Sequence, residues 1–264
     1  MTRDDLIEEI VARSAADPRV VGAFLSGSLG DGSADRLSDC DLVLAVDVDA
    51  HSAFVGALRQ WVAGIFEPVL WRQLYPGVPL FHCISAEYLR LDVTVTVPDR
   101  LAGSRATWRS IYDPGRLFER LPADLPARAL DAAKIAALVE EFWRILGLLP
   151  VGAGRGDDMV AASGVGLLRA GLIALMIEAH APAVRPGALS LARVLDPDEI
   201  ALVTGLPWPD PGREGVIGAT FACAAAFLPK ARALASEAGA VWPDALEAAA
   251  RGYIRRELGL EVPG

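Results

Sequence analysis

The chain has 264 residues and a formal charge of −9, with 53% hydrophobic and 22% charged residues. That apolar content is ample for packed cores and excludes a disordered chain, while the length favours two domains. Lys134 and Lys230 are the only lysines and no dense run of arginines occurs, so the acidic surface excludes a nucleic-acid track and suits cationic small molecules instead.

Asp4 to Ala15 reads as a short amphipathic helix, with Leu6, Ile10 and Val11 on its apolar stripe and Thr2 or Asp4 as its cap. Val20 to Leu25 is a strand-type apolar run that breaks at Ser26-Gly27-Ser28 and passes into a loop of Gly, Asp and Ser. A second strand begins at Asp41, where Leu42, Leu44, Val46 and Val48 alternate with Val43, Ala45 and Asp47. Period two projects Asp39 and Asp41 from the same face. Two neighbouring carboxylates repel unless a cation lies between them, and hard oxygens of this kind suit Mg²⁺ shared with substrate phosphates.

Asp49 to Phe66 follows as a helix with Phe54, Leu58, Trp61, Val62 and Ile65 on one side, the expected crossover over a sheet. Pro68 to Ile84 holds two short strands around the Tyr75-Pro76-Gly77 turn. Arg90 to Val97 then alternates strictly, with Leu91, Val93, Val95 and Val97 on the apolar face and Asp92, Thr94 and Thr96 on the polar one. Paired beside the strand of Asp41, it would bring three acids to one spot. Gly27-Ser28 would lie opposite, a small-residue turn whose N–H groups and hydroxyl can approach a phosphate closely. Such a site suits metal-assisted transfer of a nucleotidyl group. Ser110 to Asp113 is a further short strand, and the Pro-rich stretch Leu121 to Pro126 marks a boundary. The expected fold class is α+β: a mixed sheet with flanking helices over 1–124, then an all-α helical bundle over 125–264.

In that second part, Leu130 to Leu149 reads as a helix ended by Pro150 and a Gly-rich loop, Val151 to Gly156. Asp157 and Asp158 cap a helix running to about Ala181, where Pro182 stops it. Short helices around Leu189 to Thr204, and longer ones at Gly215 to Ala238 and Pro243 to Leu258, complete an antiparallel bundle. No internal repeat occurs. Met1 to Ile10 is acidic and polar, unlike a signal peptide, and no apolar run is expected to reach membrane-spanning length, so the cytoplasm is expected. Cys40, Cys83 and Cys223 are too scattered for a metal knuckle and read as small buried core residues.

Gly27-Ser28, ten residues, Asp39-x-Asp41, and a later Asp92 on an apolar strand together form a pattern. It resembles that of the DNA polymerase β-like nucleotidyltransferase superfamily. Within that superfamily the chain resembles the antibiotic nucleotidyltransferases that adenylylate aminoglycosides or lincosamides, with a catalytic domain first and a helical domain behind. The resemblance implies Mg²⁺, two ions bridged by Asp39 and Asp41, with ATP or another nucleoside triphosphate as co-substrate. Gly27 and Ser28 would serve the nucleotide, and Asp92 would be a third metal ligand, the general base, or both. It further implies transfer of a nucleoside monophosphate to a hydroxyl of a small acceptor, with pyrophosphate released. Two other readings are a protein-modifying enzyme of the toxin–antitoxin kind and a non-catalytic nucleotide-binding module. No nucleic-acid or membrane partner is expected, and the oligomeric state is left open.

The remaining residues divide by how well duller roles explain them. Asp31 and Asp35 read as turn residues, Glu87 as a solvated turn residue rather than a second base, and Arg36 as a surface arginine or a phosphate contact. Arg155 precedes a helix start that attracts anions, and it resembles a cleft position where related enzymes carry basic residues, so it is assigned to the nucleotide. An acidic rim of Glu87, Glu140, Glu141, Asp157 and Asp158 would favour a cationic acceptor such as an aminoglycoside. A lincosamide would prefer an apolar pocket lined by residues such as Trp143 and Trp108, although the helical spacing of Trp143 with Phe142 and Leu146 favours core. His51, His82 and His180 are given no role.

Overall fold

A computed structural model describes residues 1–183, 191–210 and 212–264. The chain divides into two compact units, Met1–Leu125 and Pro126–Gly264.

The first unit is a six-stranded mixed sheet in the order β3-β4-β5-β2-β1-β6. Its strands are β1 (Val20–Ser26), β2 (Cys40–Val46), β3 (Leu70–Gln73), β4 (Leu80–Ile84), β5 (Arg90–Thr96) and β6 (Arg109–Tyr112). Helix α1 (Arg3–Ala16) opens the chain, the short turn α2 (Gly27–Gly30) follows β1, α3 (His51–Ala63) follows β2, and α4 (Leu117–Arg120) closes the unit. Thr2 caps α1 in a reciprocal capping box with Asp5, whose side chain returns to the Thr2 backbone.

Only β2 and β5 run parallel; β1 pairs antiparallel with β2 and β6, and β4 with β3 and β5. A parallel neighbour requires a crossover, and α3 is part of the connection between β2 and β5. The alternation in the strands decides the two faces. Leu25, Leu42, Leu44, Val46, Leu91, Val93 and Val95 pack with Leu6 and Ile10 of α1 and with Phe54, Leu58, Trp61 and Val62 of α3. The opposite face carries a smaller cluster of Phe24, Val43, Ala45 and Leu117, with Trp108 and Phe118 against it. Strand β2 is therefore apolar on both faces, as a strand sandwiched in the middle of a sheet should be. The strand stops at Val46, however. Val48 is largely exposed and does not continue the alternation, because the backbone turns at Asp47, whose carboxylate accepts from the Asp49 N–H.

The second unit is helical: α5 (Ala132–Leu146), α6 (Leu149–Arg155), α7 (Asp158–His180), α8 (Pro197–Gly205), α9 (Arg213–Ala238) and α10 (Asp244–Leu258). Its core is built from Phe142, Trp143, Leu146, Leu168, Leu172, Phe227 and their neighbours, with the Phe142 and Phe227 rings stacked at 3.7 Å between centroids. Asp157 caps α7 by accepting from the Val160 N–H. The expected loop over Val151 to Gly156 is instead the helix α6, with Pro150 in its first turn, where a missing N–H costs nothing. Gly152 presses that helix onto α7: a Cβ there would stand 2.8 Å from the Ala161 Cβ. Of the short helices expected around Leu189 to Thr204, Leu189 and Ser190 lie outside the described residues. A 3₁₀ turn at Leu191–Arg193 and α8 account for the rest.

The expectation that no apolar run reaches spanning length is also corrected. Helices α7 and α9 are both long and apolar enough, by length and composition, to cross a membrane. Both spend part of that surface on the core of this unit, and α7 holds a buried Glu178 in ion pairs with Arg128 at 3.1 Å and Lys134 at 3.7 Å.

Candidate functional site

Strand register assembles the site. In adjacent strands, Ser26 of β1 is the partner of Asp41, Asp41 of β2 is the partner of Asp92, and Asp92 of β5 is the partner of His82 on β4. Cross-strand partners share a face and stand about 5 Å apart at Cα, so these four side chains form one row across the sheet. The next row, Leu25, Leu42, Val93 and Phe81, points into the core against α1 and α3. One slip of register would send the acids into that core and the leucines to water, so burial fixes the alignment.

The turn after β1 closes onto this row. Gly27 has φ +57°, and a Cβ at that position would stand 2.1 Å from Oδ2 of Asp41. Only glycine brings the backbone so near the carboxylate. Gly30 is fixed in the same way from the other side, since a Cβ there would stand 2.2 Å from the Thr107 carbonyl oxygen. Ser28 is buried in this turn.

Each outer acid has a basic neighbour. The Asp92 Oδ1 accepts a hydrogen bond from His82 Nδ1. Asp39 lies just before β2 and is 3.7 Å from the Arg90 guanidinium, whose other nitrogen donates to the Leu37 carbonyl at 2.5 Å. The carboxylates also mark the buried thiols beside them. Burial, then the charges of Asp41 and Asp39, pushes Cys40 up to about 12, and burial with Asp92 does the same for Cys83. All three cysteines are buried free thiols, as their apolar contexts suggested.

Asp41 and Asp92 offer hard carboxylate oxygens from neighbouring strands, with Asp39 just before β2 and the His82 ring beside Asp92, next to a backbone turn with no side chain to obstruct a phosphate. That donor set fits Mg²⁺. The three acids expected at one spot do not all bring a carboxylate oxygen within 4.8 Å of one another; among the described residues the His, Cys, Asp and Glu ligand atoms that lie so close are those of His180, Asp196 and Glu199. There the Asp196–Glu199 capping box and the His180–Glu199 contact at 2.6 Å account for the grouping.

The other candidates take their places with less consequence. Asp31 and Asp35 accept from the backbone N–H two residues on, at Ser33 and Leu37, which makes them turn residues. The Ser85 hydroxyl donates to Glu87 in the turn before β5. Arg36 is exposed, and so is Arg155, in the last turn of α6. Neither Trp143 nor Trp108 is among the residues lining the cavity described below. Trp143 is fully buried, and Trp108 stacks on Phe24 at 5.7 Å. A cavity in the second unit, of about 330 Å³, is lined by Leu148, Leu149, Met159, Leu167 and Thr220, with Arg144 beside them. Two residues beside the acids are not among the expected site residues: His82, which was given no role, and Arg90. The signal for His82 was the same period two that singled out Asp92: Phe81 and Cys83 are buried on one face, so His82 belongs to the other.

No protein-family model and no curated protein matches the chain. Among solved structures it is similar to the crystal structure of an aminoglycoside 6-adenyltransferase from Bacillus subtilis, at 15% identity and a TM-score of 0.44, over 97% of this chain and 96% of the other.

Proposed function

We propose that the protein is a nucleotidyltransferase that moves a nucleoside monophosphate, AMP from ATP in the first instance, onto a hydroxyl of a small acceptor. The observation that carries this reading is the parallel register of β2 and β5, which sets Asp41 beside Asp92 while Gly27 closes onto the Asp41 carboxylate.

Asp39, Asp41 and Asp92 would hold Mg²⁺, which when bound neutralises charge on the triphosphate and acidifies a nearby hydroxyl. The chain's own groups do the rest. The Gly27-Ser28 turn offers backbone N–H groups and a hydroxyl to the phosphates, with no side chain in the way at Gly27. Asp92, ionised, accepts the proton of the acceptor hydroxyl. The acceptor oxygen then forms its bond to the α-phosphorus as the bond to pyrophosphate breaks, giving the acceptor–nucleotide ester, pyrophosphate and a proton. Holding the two reactants in line supplies much of the rate, because a bimolecular encounter becomes an intramolecular step. Arg36 is proposed as a further contact to the triphosphate, and the acidic surface favours a cationic acceptor such as an aminoglycoside.

Incubation with ATP, Mg²⁺ and a panel of aminoglycosides, lincosamides, neutral sugars and protein acceptors tests the reading. Pyrophosphate release that depends on one acceptor, with a matching mass gain of one nucleotide on it, is the expected result. Label appearing on protein acceptors alone would favour the protein-modifying alternative. No acceptor-dependent release with any of them would refute transfer.

A further inference from the structure

We infer that His82 is a positioning residue that fixes the Asp92 carboxylate for its work at the nucleotide site. The inference rests on the nucleotidyltransferase reading and adds to it a residue outside the acid triad.

Asp92 and His82 are register partners on β5 and β4, and both side chains lie on the site face of the sheet. They are about equally shielded, at 23% and 25% exposed. A carboxylate can only accept, so the proton in their contact is on His82 Nδ1 whichever charge the ring carries. That bond occupies Oδ1 and fixes the plane of the carboxylate, leaving Oδ2 as the oxygen for the acceptor hydroxyl or a cation. The other groups near Asp92 on that face are Asp41, its register partner on β2 and also an acid, and Thr94 and Thr96, two and four residues along the strand. Asp39 has the Arg90 guanidinium and Asp41 has the Gly27 turn. With His82, each of the three acids has a fixed neighbour among the described residues. Outer groups of this kind typically change metal affinity by about 10–100-fold when removed.

The test uses Mn²⁺ as the probe, read by electron paramagnetic resonance on the full chain with α,β-methylene-ATP, so that no acceptor is needed. The variants are His82→Phe, which keeps a ring without a donor, and His82→Asn, whose amide N–H stands in for Nδ1–H. Melting curves on both establish that they fold. The expected result is Mn²⁺ affinity about tenfold or more weaker in His82→Phe and restored to within about threefold of wild type in His82→Asn. Unchanged or tighter Mn²⁺ binding in His82→Phe would overturn the inference, since His82 would then be idle or a competitor of the cation. Equal loss in both variants would also overturn it, because the donor would not be what matters. Asp41→Asn separates the two levels. If it binds Mn²⁺ and nucleotide as wild type does, the nucleotidyltransferase reading itself fails; if it loses them while His82→Phe does not, only the role of His82 falls.

Discussion

Asp41 is the residue on which most of the site's geometry converges, with Ser26 and Asp92 as its strand partners and the Gly27 backbone against its carboxylate. Asp39→Asn and Asp41→Asn keep shape and hydrogen bonding but remove the charge a cation needs. Each is expected to lower nucleotidyl transfer by roughly 10²–10³-fold, the scale of losing one charge-stabilising group, with melting temperature unchanged or raised. Acceptor-dependent pyrophosphate release beside a melting curve checks this. Gly27→Ala separates site from stability in a different way. The added methyl meets the far end of a movable side chain, so the fold yields at a cost of about 1 kcal/mol for the left-handed backbone. Asp41 is what must move, and transfer should fall by tenfold or more. A variant that loses several kcal/mol while keeping full activity would contradict that assignment.

The thiols give a prediction in pH. Cys40 and Cys83, raised from 9.0 to about 12, hold their protons in the fold more tightly than in the unfolded chain. Their contribution to stability is therefore complete below about pH 9 and is lost as pH rises towards 12. Native protein should resist thiol reagents at pH 8, and denaturant midpoints should fall between pH 9 and 11 by more than in a Cys40→Ser, Cys83→Ser variant. Rapid native labelling would show that the thiols are not enclosed.

At the scale of elements, what was legible in the chain was local and periodic. The alternation in Arg90 to Thr96 put Asp92 on the polar face, and the break at Ser26-Gly27-Ser28 placed the turn. Which strands become neighbours is not local. That β5 lies beside β2, and β4 beside β5, depends on a crossover and two hairpins, and His82 gains its meaning only from that register. Val151 to Gly156 misled for a different reason. Glycine and proline were read as breakers, but Pro150 falls in the first turn, where it is tolerated, and Gly152 serves contact with Ala161. Tertiary packing overrode propensity there. The core of the helical unit offers a sharper element-level expectation. Phe227 is fully buried and stacked on Phe142, so Phe227→Ala should cost about 3–5 kcal/mol, read from denaturant unfolding followed by far-ultraviolet circular dichroism. A cost below 1 kcal/mol would mean that the α5–α9 contact is not central to that unit.

For the molecule as a whole, the charge of −9 is the property that bears on what it binds. If the acidic surface attracts a cationic acceptor, aminoglycosides should raise the melting temperature at low salt in the presence of ATP and Mg²⁺. The shift should shrink as ionic strength approaches 0.5 M, where the screening length falls to about 4 Å. Neutral sugars should show no such salt dependence. A salt-independent shift with a neutral acceptor, and none with polycations, would assign the acidity to solubility alone.

The claim beneath all of these is that Asp39, Asp41 and Asp92 form one cation and triphosphate site with the Gly27-Ser28 turn. A crystal structure of the full chain with α,β-methylene-ATP and Mg²⁺ tests it most directly. The account predicts a metal bound by Asp39 and Asp41, the triphosphate over Gly27-Ser28, and Asp92 facing the α-phosphorus. A nucleotide bound elsewhere, or bound with no metal at Asp41, would contradict it.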